Sequence, residues 1–139
     1  MTDSKLVLEF NHFPELAIKF PQAVHDIVED SAMRIETTMK MSMRTPKHGV
    51  RRKATKSGKM HQASAPGEAP AMDTGNLVNS IQYQMTSNTT AEVNVGAEYG
   101  VHLEYGTVNM GARPYATPAA EKERPKFIDA MSHLENMLQ

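Results

Sequence analysis

The sequence predicts an α+β fold: a small antiparallel β-sheet packed by a long N-terminal helix and a C-terminal helix, with a long basic loop between. Three observations predict it. From Pro21 to Met43 the apolar residues Val24, Ile27, Val28, Ala32, Ile35, Met39 and Met43 recur at steps of three and four, the spacing of one helix face. From Ile81 to Gly96 the spacing changes to two, with Ile81, Tyr83 and Met85 in one run and Ala91, Val93 and Val95 in the next. Near the C-terminus, Phe127, Ile128, Met131, Leu134 and Leu138 restore a helical stripe.

Taken in chain order, Leu6–Phe10 is short, apolar and β-favouring, and is expected as a strand at a sheet edge. Phe13-Pro14 opens a helical turn containing Leu16, Ala17 and Ile18, and Pro21 restarts the helix, since proline suits a first helical position and not an interior one. On the polar side of the long helix, Asp30–Arg34 and Glu36–Lys40 are acid-first i,i+4 pairs, each worth about 0.2–0.5 kcal/mol. Thr45-Pro46 ends it. Residues 45–72 hold Pro46, Gly49, Gly58, Pro66, Gly67 and Pro70 without apolar periodicity, which predicts a long loop.

Beyond the loop, Asp73-Thr74-Gly75 offers an N-cap for a short helix that turns Leu77, Val78 and Ile81 inward. A hairpin follows, turning at Ser87–Thr90. The spacing from Tyr99 to Tyr105 fits either a short helix or a third strand, and Val108–Ala112 reads as a looping excursion bent at Gly111. The last helix is expected to open with Thr117 as N-cap and Pro118 at its first position, and to break or kink at Arg124-Pro125. No internal repeat or domain boundary is visible, so residues 1–139 are expected to form one domain.

Composition sets the chemistry. Hydrophobic residues make up 40% and aromatics only 6%, with no Trp and 11 Met, so the core must be aliphatic and Met-rich. There is no cysteine, which excludes disulfides and thiolate chemistry. No apolar run approaches the roughly 20 residues of a membrane helix, and MTDSKLVLEF lacks a signal peptide's basic start and apolar core. The expectation is a soluble protein made in the cytoplasm, with no membrane partner.

The net charge of −1 conceals a division. Seven of the 15 Lys and Arg residues (Arg44, Lys47, Arg51, Arg52, Lys53, Lys56 and Lys59) fall between Arg44 and His61 with no acid among them, so the remaining eight face all 16 acids. A positive segment is thus attached to an acidic body. It is a solvated arm, a contact for an acidic protein surface, or a phosphate contact. No aromatic residue is interleaved with it, which counts against base stacking.

A search for catalytic patterns finds little. The histidines His12, His25, His48, His61, His102 and His133 form no pair with zinc-ligand spacing. There is no G-x-S-x-G and no P-loop, and Gly96, Gly100 and Gly106 are too dispersed to cradle a phosphate. No cofactor is expected. Glu104 could serve as a general acid or base with Asp73 or Glu98, or work beside His102 in a small hydrolase. The weightier expectation is structural: Glu104 accepts hydrogen bonds from Thr107 and nearby backbone, or pairs with Arg113, and fixes a corner made with Gly106 and Pro114.

One stretch has a recognisable pattern. Tyr99-Gly100, Glu104, Gly106-Thr107, Met110, Ala112-Arg113-Pro114-Tyr115 and Pro118-Ala119 resemble the pattern Y-A-x-x-x-E-x-G-T … M-x-A-R-P-[FY]-x-x-P-A. That pattern belongs to the tail-component (neck, or head–tail joining) protein family of long-tailed bacteriophages. Upstream, Pro66-Gly67-Glu68-Ala69-Pro70 and Thr74-Gly75-Asn76-Leu77 with Ser80-Ile81 resemble the same family's P-G-x-x-P … T-G-x-L-x-x-S-I segment, in the family order. Gly100 stands where the family often has Ala. The resemblance implies a short helix at Tyr99–Tyr105. It also implies a structural, non-enzymatic virion protein, assembled in the host cytoplasm into a homo-oligomeric, six-fold ring at the neck. The implied partners are its own copies and the adjacent head-closure and tail-terminator or tail-tube proteins, with DNA passing through without sequence-specific binding. Tail terminator, head-closure ring and a nucleic-acid-binding module using residues 44–61 are the alternatives.

Overall fold

The computed structural model describes residues 14–49, 63–71 and 75–137 in full, and the backbone of the strands Leu6–Phe10, Arg51–Lys53 and Met60–Gln62. In chain order the elements are β1 (Leu6–Phe10), α1 (Pro14–Lys19), α2 (Pro21–Ser42), β2 (Arg51–Lys53), β3 (Met60–Gln62), α3 (Asn76–Asn79), β4 (Ile81–Met85), β5 (Ala91–Val95), α4 (Gly100–Tyr105) and α5 (Ala116–Asn136). The fold is α+β, as the sequence predicts.

The main sheet has the order β1-β5-β4, antiparallel throughout. Ala91, Val93 and Val95 on the central strand β5 are buried, and so is Ile81 on β4. In the register, Leu6, Leu8 and Phe10 stand opposite Val95, Val93 and Ala91, while Val7 and Glu9 stand opposite Asn94 and Glu92.

α2 is the centre of the packing. Pro21 sits in its first turn, and Val24, Val28, Ala32, Ile35 and Met39 are buried along one stripe, with Met43 just past its end. Each large apolar side chain buried there stabilises the fold by about 1.5–3 kcal/mol. α2 packs on β4 and β5 together about as extensively as on α5, and α5 docks chiefly on the helix rather than on the sheet. The two helices are also joined by charge. Arg34 donates from Nη2 (2.6 Å) and Nε (2.8 Å) to Oε1 of Glu123, which is buried on α5. Arg34 therefore bonds across to the neighbouring helix and not to Asp30, as helical spacing alone suggests. The Glu36–Lys40 pair is present at 3.7 Å, and Glu36 Oε1 also accepts the Tyr83 backbone N–H at 2.9 Å, closing part of the outer edge of β4.

Three local expectations are corrected. Residues 45–72 are not a loop throughout, because β2 and β3 pair antiparallel as a two-stranded ribbon inside them. α5 begins at Ala116 with Tyr115 at its N-cap, so Thr117 caps nothing through its own position. Pro125 does not break α5, which runs unbroken to Asn136. Pro125 lies on the solvent side, where the carbonyl it leaves unpaired is free to turn to water. Lys56, Lys59, Asp73, Thr74 and Leu138 lie outside the described residues.

Candidate functional site: the corner between α4 and α5

Gly100–Tyr105 forms a helix, α4, with Tyr99 at its N-cap, and not a third strand. It carries Glu104 inward to 4% exposure. The carboxylate accepts three backbone N–H groups at the start of α5: Tyr115 (2.7 Å) and Ala116 (3.0 Å) on Oε2, and Thr117 (2.8 Å) on Oε1. The opening N–H groups of a helix have no partner within it and lie at the positive end of its dipole. Glu104 satisfies three of them at once from another helix. A local Thr cap reaches one such group at most, so the remote carboxylate takes the place expected for Thr117.

Burial alone pushes the Glu104 carboxyl upward. The hydrogen bonds from Thr117, Ala116 and Tyr115 outweigh it, and the net shift is below the ordinary carboxylate value. Glu104 is thus an ionised structural anion with its lone pairs committed. Thr107, expected as its partner, is exposed and instead shapes its own turn. Thr107 N–H donates to Met110 O at 2.8 Å, and Asn109 N–H donates to Thr107 Oγ1 at 3.3 Å. Nor does Arg113 pair with Glu104. Its side chain donates to Ser64 O from Nε (3.3 Å) and Nη2 (3.2 Å) and to Gly111 O from Nη1 (2.8 Å), while its backbone N–H donates to Leu103 O at 2.6 Å. Its planar fork is used to gather carbonyls rather than to clamp a carboxylate.

Two glycines permit this geometry. Gly106 ends α4 at φ +78°, ψ 175°, a region that only glycine adopts readily. Gly100 lies under the buried Tyr115, whose hydroxyl donates to Gly100 O at 2.9 Å. A Cβ on Gly100 would stand 2.6 Å from Tyr115 Oη and 2.8 Å from Val95 Cγ1. Burial, followed by the nearby Glu104 charge, raises the Tyr115 phenol far above its ordinary value, so it stays a neutral donor. Gly100→Ala is therefore expected to cost about 1–3 kcal/mol by overpacking. Combined with Tyr115→Phe, which removes the nearer obstacle, it should cost less than the sum of the two single changes by about 0.5 kcal/mol or more. Thermal denaturation of the four chains measures this coupling, and simple additivity would show that Oη is not what excludes Ala there.

The corner also holds the root of the basic segment. Gly67 N–H donates to Ala112 O at 2.8 Å, and Gly111 sits so close to Pro66 that a Cβ on it would approach Pro66 Cβ to 2.9 Å. Glu68 accepts from Ala65 N–H (3.1 Å), His48 N–H (3.0 Å) and His48 Nδ1 (3.3 Å). Its carboxyl is pushed up by partial burial but held lower overall by these bonds. Lys47 Nζ donates to Ser42 O at 2.7 Å and so caps the C-terminus of α2. Its amine is shifted down by burial against the upward pull of Glu68. The predicted arm thus divides. Arg44 is exposed at the end of α2, Lys47 is built into the body, and Arg51, Arg52 and Lys53 form β2 of the ribbon. Sequence reasoning missed Ser64, Glu68 and Tyr115 as members of this corner. Glu68 and Tyr115 did stand in the two motif blocks, the signal that could have found them, and Ser64 had none.

A half-open cleft of about 380 Å³ adjoins the corner, with Met43, Leu77, Val78, Leu103, Met110 and Arg113 among its walls. Among the described residues no group of His, Asp or Glu is arranged to hold a metal ion, and no described helix is long and apolar enough to cross a membrane. These features define an α+β fold in which Glu104, Tyr115 and Arg113 tie α4, the start of α5 and Ser64 into one corner. Comparison with protein-family models, curated proteins and solved structures found no match to this chain.

Proposed function

We propose that this protein is a structural virion component of a long-tailed bacteriophage, forming a homo-oligomeric ring at the neck that completes the tail and joins it to the head. The observation that carries the proposal is the convergence of the two motif blocks. Pro66–Pro70 and Tyr99–Ala119 are separated by the β4–β5 hairpin, yet they meet through Gly67–Ala112 and Pro66–Gly111, with Arg113 bonding to Ser64 just before the first block. Their meeting supports reading the stretches that resemble the neck family as parts of one scaffold. Glu104, its most reactive-looking member, is occupied by three backbone donors and is not free to move a proton for a substrate. This supports a non-enzymatic role.

The surface supports assembly with copies of itself. Tyr99 (46% exposed), Tyr105 (67%) and Val108, fully exposed at the tip of its turn, surround the corner with apolar area that a ring neighbour would cover. A six-fold ring would match a tail, and its other contacts are the head-closure and tail-terminator or tail-tube proteins. An acidic body lining the channel would let DNA slide by without sequence-specific binding, through like-charge repulsion. The test is to disrupt the gene in the phage that encodes it and examine particles by electron microscopy. Filled heads and tails that fail to join, rescued by a plasmid copy, are expected. Normal virions lacking the protein would overturn the proposal.

A further inference from the structure

Two incomplete pieces of β-structure stand out. One edge of β1 is paired with β5, and the other pairs with no described strand. An open edge presents a row of unpaired backbone donors and acceptors. The opposite edge of the same sheet is treated differently, because Glu36 on α2 takes up the Tyr83 N–H of β4. The second piece is the ribbon, three residues on each strand, with Arg51, Arg52 and Lys53 opposite Gln62, His61 and Met60. No other described helix or strand packs extensively on it. A lone two-stranded ribbon is marginal in water and gains stability from a third strand. Its root is nevertheless clamped to the body by Lys47, Glu68 and the Arg113–Ser64 bonds.

Charge says which partner fits. β2 is Arg-Arg-Lys, so two ribbons repel each other. On the sheet, Glu9 of the edge strand β1 stands in register with Glu92 of β5, which places one acid at the open edge and a second beside it. Within one chain the ribbon and the sheet are separate.

We propose that β2 of one copy adds to the free edge of β1 in a second copy, extending the sheet β1-β5-β4 across the subunit boundary. Backbone hydrogen bonds supply the attachment, and the Arg-Arg-Lys and Glu9 charges select the partner. The two surfaces differ, so the contact is head-to-tail and repeats around a ring. The inference rests on the ring assembly proposed above and identifies its joint.

The absence of cysteine makes the joint testable by disulfide trapping. Val7→Cys, in register with Asn94 of β5 on the edge strand, is mixed with Arg51→Cys, Arg52→Cys or Lys53→Cys chains carrying a longer tag. Any mixed bond is between copies by construction. For at least one of the three β2 positions, the mixed product should exceed like-with-like products by about ten-fold or more, since docking raises the local thiol concentration. Glu9→Lys in the Val7→Cys chain should lower that yield, and Lys53→Glu in the Arg52→Cys chain should restore it. Rings that form by mass measurement with no mixed product would overturn the joint and leave the ring intact. A chain that stays monomeric with no mixed product also overturns the joint, while gene disruption decides the neck role separately. If duplex DNA abolishes the mixed product and Arg52→Cys chains lose DNA retention, the ribbon is a nucleic-acid contact and the inference fails.

Discussion

Glu104→Ala should unfold or nearly unfold the isolated protein, at a cost of roughly 3–5 kcal/mol. The change strips three backbone N–H groups at the start of α5 of their acceptor, and each buried donor left unpaired costs about 1–3 kcal/mol. Total domain stability is only about 5–15 kcal/mol. Glu104→Gln should not rescue it. Three N–H donors need both oxygens, and one end of a carboxamide is itself a donor. The Glu104 carboxyl also sets an acid limit. Its folded value lies below the ordinary 4.5, so its contribution is fully present above that pH and is lost as pH falls through the folded value. Urea denaturation of wild type and Glu104→Gln between pH 7 and pH 3 checks both points. The wild-type midpoint should fall at the acid end, and the variant, already low, should lack that part of the fall. Equal acid slopes would mean that other carboxylates carry the effect.

The second large effect is expected at Gly106. A non-glycine residue at φ +78°, ψ 175° stores about 1–3 kcal/mol of backbone strain. Its Cβ would also stand 2.9 Å from both Ala112 N and Met110 O, backbone atoms that cannot rotate aside. Gly106→Ala should therefore cost roughly 3 kcal/mol or more, read as a lowered denaturation midpoint at unchanged slope. Gly106→Asn is the sharper test. Asn tolerates the left-handed helical region, but ψ 175° lies outside it, so Asn should do no better than Ala. A well-tolerated Asn would show that the turn is free to rearrange.

How much of this was legible in the sequence follows from how local each cause is. The α2 stripe and the β4–β5 alternation are periodic signals, and they specify which residues are buried. Glu104 is different. Its partners lie 11 to 13 positions away across a turn, and no period connects them. A local rule therefore placed Thr117 at the cap, and the charged, triply bonded acceptor displaced it. The ribbon escaped notice because Arg-Arg-Lys has no apolar alternation, and its pairing is a matter of backbone alone. Pro125 misled for the opposite reason: a strong local breaker is tolerated where the helix faces water. Arg113 was expected to pair with Glu104; it bonds Ser64 O and Gly111 O instead, because Ser64 is brought near by contacts of Gly67 and Glu68 that no spacing in the sequence reveals.

The pairing of β1 with β5 has a consequence for the order in which the chain folds. The β4–β5 hairpin is local and forms on the microsecond scale. β1 must close the long stretch containing α2 and the ribbon before it meets β5, and that closure is entropically unfavourable until the later contacts form. β1 is therefore expected to zip on last, and β5 offers a vacant edge of its own until it does. A newly made chain passes through a stage at which any extended segment, its own or a neighbour's, can compete for that vacancy. Exchange of β1 between chains at high expression is the misfolding route this topology invites.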